Sequence, residues 1–384
     1  MSLSRVFNPS AATKTTTTTT TTTTTVPKDV FSSIYKERNL KRLVEKFKKS
    51  SEFYRFRRKN GIYENTVHRL ASAGRFKWIE EILEDQKRYE DMSKEGFGAR
   101  LISLYGKAGM FENAHKVFSE MPERNCKQTV LSFNALLGAC VNSKKFDKVD
   151  GLFKDLPDEL SVEPDLVSYN TVIKAFCEMG SLESGISMVQ EMEKKGIKPD
   201  LITFNTLLYG SYGSGRFEEG ERIWALLKEK NLVPDVRSYN ARLVGLALEK
   251  RVKEAVEVFE EMRTKDVEPD VFSFNALIKG FAAVENLEEA KRWYGEIEKN
   301  DCKQNKESFA ILVPFLCDNG DFDFAFKVCK DIFHRKKVVG ETLLQNVVDG
   351  LVKESKIEEA EKIALLGKTN SYNRYRLKLP SKEE

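Results

Sequence analysis

The sequence predicts an all-α, right-handed superhelical solenoid of helix-turn-helix units, about nine of them and 35 residues apiece. Three observations predict it. The first is a strict period: Pro-Asp stands at 164–165, 199–200, 234–235 and 269–270, 35 residues apart. Five residues beyond each Asp comes an Asn behind an aromatic residue, as Tyr169-Asn170, Phe204-Asn205, Tyr239-Asn240 and Phe274-Asn275. The pattern begins one unit earlier at Phe133-Asn134, with one extra residue before Pro164, and wears out at Phe309-Ala310. The second observation is apolar spacing at i, i+4, i+7, found twice per unit. Tyr239, Leu243 and Leu246 mark one helix, and Ala255, Phe259 and Met262 mark the next. The third is punctuation: Gly74, Gly109, Gly180, Gly215 and Gly320 fall between the helices of a unit, where a helix end accepts positive φ. Pro-Asp falls between units, with Pro stopping one helix and Asp suited to cap the next. A lone helical hairpin cannot bury both faces, whereas stacked hairpins can.

Working outward gives units at 60–94, 95–129, 130–165, 166–200, 201–235, 236–270, 271–305, 306–340 and a degenerate one at 341–375. Residues 29–59 read as a basic helical N-terminal cap and 376–384 as a C-terminal tail. Before them lies an acid-poor segment with Arg5, Lys14 and a Thr run from Thr15 to Thr25. Acid-poor, basic and Ser/Thr-rich composition is that of an organellar transit peptide, mitochondrial first and chloroplast second, over residues 1–28. An ordinary unstructured tail is the plainer alternative.

The chain has 384 residues, 41% of them hydrophobic, yet no run approaches the ~18–20 apolar residues of a membrane span. The six Cys show neither C-x-x-C pairing nor zinc spacing and read as small buried hydrophobes. Net charge is +4, unevenly spread: residues 36–59 hold eleven Lys/Arg against three Glu, so the array itself is slightly acidic. A basic block of that kind marks a phosphate contact or a solvated helix face. Within it Arg55, Arg57, Arg58 and Lys59, interleaved with Phe53, Tyr54 and Phe56, are the candidates for a phosphate contact.

Asn is a poor helix residue, yet it recurs at one place in five first helices. Its amide both donates and accepts, so it can read a base edge. Asp165, Asp200, Asp235 and Asp270 close four units and should lie near an Asn across the junction. The residues alone leave a second account open: Asp caps a helix, and Asn forms a structural ladder.

Unit 166–200, LVSYNTVIKAFCEMGSLESGISMVQEMEKKGIKPD, closely resembles the pentatricopeptide repeat, as do the three units after it; the resemblance covers roughly 60–375. It implies single-stranded RNA read at one base per unit, by the pairs Asn134/Asp165, Asn170/Asp200, Asn205/Asp235, Asn240/Asp270 and Asn275/Asn305. In the family Asn with Asp implies U, and Asn with Asn implies C or U, giving a tract U-U-U-U-Y in the direction of the chain. Base-wedging positions fall on Leu131, Val167, Ile202, Arg237 and Phe272. Arg237 departs from the apolar pattern, although a guanidinium can stack. Ala99/Thr129 and Ala310/Gly340 carry no readable pair, and Glu307 stands where a wedge belongs.

FRRKNGIYENTVHRLASAGRFKWIEEILEDQKRYEDMSKEGF and the ending LLGKTNSYNRYRLKLPSKEE resemble a small group of plant mitochondrial pentatricopeptide proteins associated with the small ribosomal subunit. The expected function is therefore a non-enzymatic RNA-binding component or associate of that subunit, acting in translation. Its partners would be pyrimidine-rich single-stranded RNA, ribosomal RNA and small-subunit proteins. Five readable units are few, and the acidic array attracts phosphate weakly, which favours a protein held in a larger ribonucleoprotein. The alternatives are a transcript-specific mRNA factor and a protein-binding scaffold. No P-loop, deaminase or other acid–base constellation can be assembled, and neither a cofactor nor a small-molecule substrate is expected.

Overall fold

The structure, a computed structural model, describes residues 28–370 and 373–379. The proposed transit segment lies outside them, save for Lys28 at its end. Among the described residues every regular element is helical. α1 (Lys28–Lys36), α2 (Leu40–Ser51) and α3 (Tyr54–Arg57) precede nine helix pairs. These are α4 (Asn60–Ser72) with α5 (Phe76–Glu84), α6 (Glu95–Lys107) with α7 (Phe111–Glu120), α8 (Val130–Asn142) with α9 (Val149–Leu160), α10 (Leu166–Glu178) with α11 (Leu182–Lys194), and α12 (Leu201–Gly213) with α13 (Phe217–Glu229). They continue as α14 (Val236–Leu248) with α15 (Val252–Thr264), α16 (Val271–Ala283) with α17 (Leu287–Lys299), α18 (Lys306–Asp318) with α19 (Phe322–His334), and α20 (Glu341–Lys353) with α21 (Ile357–Thr369).

Local chemistry sets these boundaries. At the end of α10 the Gly180 N–H reaches Cys177 O and the Ser181 N–H reaches Phe176 O, closing a Schellman motif around Gly180 at φ +75°. Gly74, Gly109, Gly215 and Gly320 hold the same left-handed turn, whereas Lys144, Lys250, Glu285 and Ser355 adopt it without glycine. At the start of α10, Asp165 accepts from the Val167 and Ser168 N–H groups.

First helices pack on the first helices before and after them, and the second helices from α7 to α19 each pack on their own partner and on the next unit's first helix. The recurring aromatic fills that seam. Phe133, Tyr169, Phe204, Tyr239, Phe274 and Phe309 are all buried. Trp224 of α13 meets Tyr239 edge-on at 5.2 Å, and Phe259 of α15 meets Phe274 at 5.2 Å. Burying each such ring contributes about 2–3 kcal/mol, and Tyr239 and Phe274 each meet a ring of the preceding unit, so the units stabilise one another.

The seam between α6 and α8 is close enough to bring main chain against main chain. A Cβ on Gly106 would lie 2.4 Å from the Ala139 Cα, which is main chain and cannot rotate aside. Gly106→Ala should therefore destabilise the protein by about 1–3 kcal/mol, although Ala is favoured over Gly by about 1 kcal/mol in a helix interior. Urea unfolding followed by circular dichroism checks this; an unchanged or raised midpoint would mean that the helices are not in such contact.

Candidate nucleic-acid interface

The recurring Asp, Ser/Thr and Asn residues meet at the unit junctions. Each cap residue (Asp165, Asp200, Asp235, Asp270 and Asn305) forms a capping box with the Ser or Thr three residues on. That hydroxyl accepts the cap residue's own N–H and donates to the Asn of the preceding unit. The Oγ–Oδ1 distances are 2.6 Å for Ser168–Asn134, Thr203–Asn170, Ser238–Asn205 and Ser273–Asn240, and 2.7 Å for Ser308–Asn275. The same Asn donates through Nδ2 to the cap's Oδ1: Asn134 to Asp165 at 2.9 Å, Asn170 to Asp200 at 3.2 Å, Asn205 to Asp235 at 3.0 Å, Asn240 to Asp270 at 2.9 Å and Asn275 to Asn305 at 3.1 Å. Asn, cap and hydroxyl thus close a three-membered clasp at five consecutive junctions.

This clasp gives Asn a structural duty. Asn205, Asn240 and Asn275 are only 7%, 3% and 2% exposed, so the residue that looked external from its helix propensity is largely internal. All of the clasp bonds to the Asp caps go to Oδ1. Oδ2 and the second amide hydrogen of each Asn carry no partner among the described residues. At Asn305 the Oδ1 accepts from Ser308, which turns a donor, Nδ2, toward the place where the other four junctions present an acceptor. Burial raises the Asp165 carboxyl, but the bonds from Asn134, Ser168 and Val167 outweigh it and hold the group below its ordinary range. It is therefore an acceptor at neutral pH.

One junction earlier a different solution appears. Glu95, at the start of α6, accepts from the N–H and hydroxyl of both Thr129 and Ser132. It spans the same gap with one carboxylate and leaves no Asn–Asp pair there.

The wedge positions stand beside the clasps. Leu131, Val167, Ile202 and Phe272 are 50%, 55%, 58% and 52% exposed, and Arg237 is exposed between them; single exposed apolar side chains are ordinary, and it is their recurrence in one register that sets these apart. Arg237, Asn240, Asp270, Phe272 and Asn275 line one cleft of about 730 Å³, together with Glu307, Tyr209 and Lys279. Sequence reasoning missed Tyr209 and Lys279, and Lys174 in the neighbouring cleft with Tyr209. Their signal was present: Lys174, Tyr209 and Lys279 each follow an Asn by four residues and so share its helix face. Burial, then the nearby Asp270 and Asp235, raise the Tyr209 phenol above its usual range, which keeps it a neutral donor.

The basic cap corrects one expectation. Arg57 is not available to phosphate: its Nε donates to Asp91 Oδ2 at 2.6 Å, its Nη1 reaches Ser51 O, and its guanidinium lies 4.1 Å from the Tyr89 ring centroid. Hidden like this, it fastens α3 to the turn before α6. Alternation with aromatics had marked a core position as well as a basic one. Arg55, Arg58 and Lys59 are exposed. Among the described residues no His/Cys/Asp/Glu group is arranged to hold a metal, and no helix is long and apolar enough to cross a membrane.

The PPR repeat family model matches residues 100–142, 164–213, 234–283 and 269–318, and a second PPR repeat model matches 131–159 and 202–232, together more than half of the chain. The chain belongs to the pentatricopeptide repeat family. Similar members include the Arabidopsis thaliana small ribosomal subunit proteins mS79 and mS78. They are 60% identical over 161 and 170 residues, covering 42% and 44% of this chain and 41% and 43% of theirs. An Arabidopsis pentatricopeptide repeat-containing protein named as mitochondrial is 41% identical over 135 residues, 35% of this chain and 32% of that one. The matches span less than half the length of these relatives. Among solved structures, the pentatricopeptide repeat protein PPR10 from maize aligns over 87% of this chain and 56% of its own, with 18% identity and a TM-score of 0.47.

For this pentatricopeptide array the clasp predicts a ligand-independent phenotype. Asn240→Ala would leave the Ser273 hydroxyl and the Asp270 Oδ1 each short of a partner in a buried junction. The expected cost is about 1–3 kcal/mol, read as a lowered melting temperature of the RNA-free protein. An unaltered melting curve would mean that the ladder does not hold the junction.

Proposed function

We propose that this protein binds single-stranded RNA along the face of its first helices and acts, without catalysing a reaction, in the small subunit of the mitochondrial ribosome. The observation that carries the reading is the repeated juxtaposition of an uncommitted polar edge with an exposed wedge, in one register, at five consecutive units. A base laid between successive wedges, such as Ile202 and Arg237, would stack on both, at about 1–3 kcal/mol per base. Uracil brings an N3–H between two carbonyls to the Watson–Crick edge. The Asp Oδ2 accepts the N3–H, and the spare Asn amide hydrogen donates to a carbonyl. At Asn305 the outward Nδ2 suits the bare N3 of cytosine, and uracil is taken there only by turning the amide over, which withdraws the acceptor from Asn275 and Ser308 and so weakens binding. The resulting tract is U-U-U-U-Y. The mitochondrial and ribosomal parts of the proposal draw on the names of the relatives and on the composition of residues 1–28. Arg55, Arg58 and Lys59 remain proposed phosphate contacts.

Asn305 shows that Asn caps a helix here as Asp does, so Asp200→Asn with Asp235→Asn changes the edge while keeping the clasp. Affinity for oligouridylate should fall roughly thirty-fold, from about 1 kcal/mol at each of two hydrogen bonds. The melting temperature should stay within experimental error. Equal affinity of the wild-type and doubly substituted proteins would sink base readout and leave the Asp row as caps alone.

Sedimentation of mitochondrial lysate, with and without magnesium chelation, tests the assembly. Co-migration with the small subunit that persists at moderate salt is expected. A peak confined to light fractions would reject a ribosomal role and favour a factor acting on a free transcript.

A further inference from the structure

We infer that residues 374–378 form a fixed strap that supplies a second RNA-phosphate site where the groove ends, a role that rests on the RNA reading above. The segment runs back over α20 and is anchored at four consecutive residues, 375–378. The Tyr375 ring is buried edge-on against Phe333, its centroid 6.0 Å away, and its hydroxyl accepts the Val339 N–H at 3.1 Å. The Tyr375 N–H donates to Gly367 O, and Leu377 packs over Gly367, where an added Cβ would come within 3.1 Å of its Cδ1. The Arg376 N–H donates to Glu341 Oε2 at 3.0 Å.

Gln345 completes the anchorage. It stands four residues into its helix, the place Asn holds in the five clasped units. Its Nε2 donates to Lys378 O at 2.8 Å, and its Oε1 accepts the Lys378 N–H at 2.9 Å. The chain's own peptide therefore occupies both edges of the amide that would otherwise meet a base. The last unit has no vacancy for a nucleotide, and what it presents instead is the outer edge of the strap.

That edge is cationic. Extended backbone sends alternate side chains to opposite sides, so with Tyr375 and Leu377 turned inward, Arg374, Arg376 and Lys378 are exposed. They repeat about every 6.6 Å along the strap. None of the three forms an ion pair among the described residues. The two carboxylates in the same cleft, Glu341 and Asp349, face the Arg376 N–H and the Gln345 amide. The clasps put a row of carboxylates along the groove, so the array itself attracts phosphate poorly. Three cations held on a pinned backbone supply that attraction without taking part in base readout.

The test compares five-uridine RNA with the same RNA extended at its 3′ end by about six adenosines, enough to pass the remaining units at one base per unit and to run along the strap. Binding to the full chain is measured by fluorescence anisotropy across a salt series. For the wild-type protein the extension should tighten binding and steepen the salt dependence. Arg374→Gln with Arg376→Gln and Lys378→Gln should lose that gain and flatten the slope of log K against log salt by about 2, from three contacts at about 0.7 each. Affinity for the unextended five-mer should stay within about twofold, since no clasp residue changes. Tyr375→Ala, which unpins the strap but keeps all three cations, should lose the same gain. If the triple variant binds the extended RNA with the wild-type affinity and slope, the strap site is refuted and the groove reading stands. If the wild-type protein binds neither RNA, the groove reading and the strap fall together.

Discussion

A single carboxylate oxygen, the Oδ1 of the cap Asp, joins two levels of organisation. It satisfies the first N–H groups of one helix, which have no partner inside that helix, and it receives the amide of an Asn one unit back. Helix initiation and unit stacking are therefore one set of bonds. A unit cannot start its first helix in this way without also docking on its predecessor, which is how a chain of weak hairpins becomes a cooperative array. The buried aromatic behind each Asn adds the apolar half of the same junction.

That economy shapes recognition too. The clasp consumes one oxygen of the carboxylate and one hydrogen of the amide, and it fixes the orientation of what is left. A reading edge held in this manner has already lost its rotamer freedom, so ligand binding need not remove it again. The price is coupling: residues proposed to meet bases are also residues that hold units together, and a substitution to Ala disturbs both. Asp→Asn is the informative exchange because the protein uses it itself at Asn305. The Glu95 junction shows the opposite arrangement, with full satisfaction of Thr129 and Ser132 and nothing left to read.

Much of this was legible in the residues. The 35-residue period, the Pro-Asp punctuation and the aromatic–Asn pairs sufficed for the helical repeat, because each reports a local requirement of backbone or packing. The proximity of Asn to Asp across a junction was also within reach, since the period places them side by side. What the sequence could not divide was structural duty from recognition at Asn240 or Asn275, because both demand the same residue in the same register. Arg57 was misread for a related reason: charge composition says nothing about a single carboxylate 34 residues away that draws one arginine inward. The strap was hidden because its anchors, Gln345 and Tyr375, are ordinary residues until the chain turns back on itself.

The seam at Gly106 and Ala139 bears on the elasticity of the molecule. A stack of helical hairpins behaves as a spring, and any stretch imposed by a ligand or by neighbours is divided among the junctions according to their compliance. Where two helices touch main chain to main chain, almost no slack remains. The five clasped junctions lie on one side of that stiff coil, and each is closed by hydrogen bonds between side chains. The contact of Gly106 with Ala139 is then a fixed point between α6 and α8, and adjustment of pitch falls to the seams that side chains keep apart.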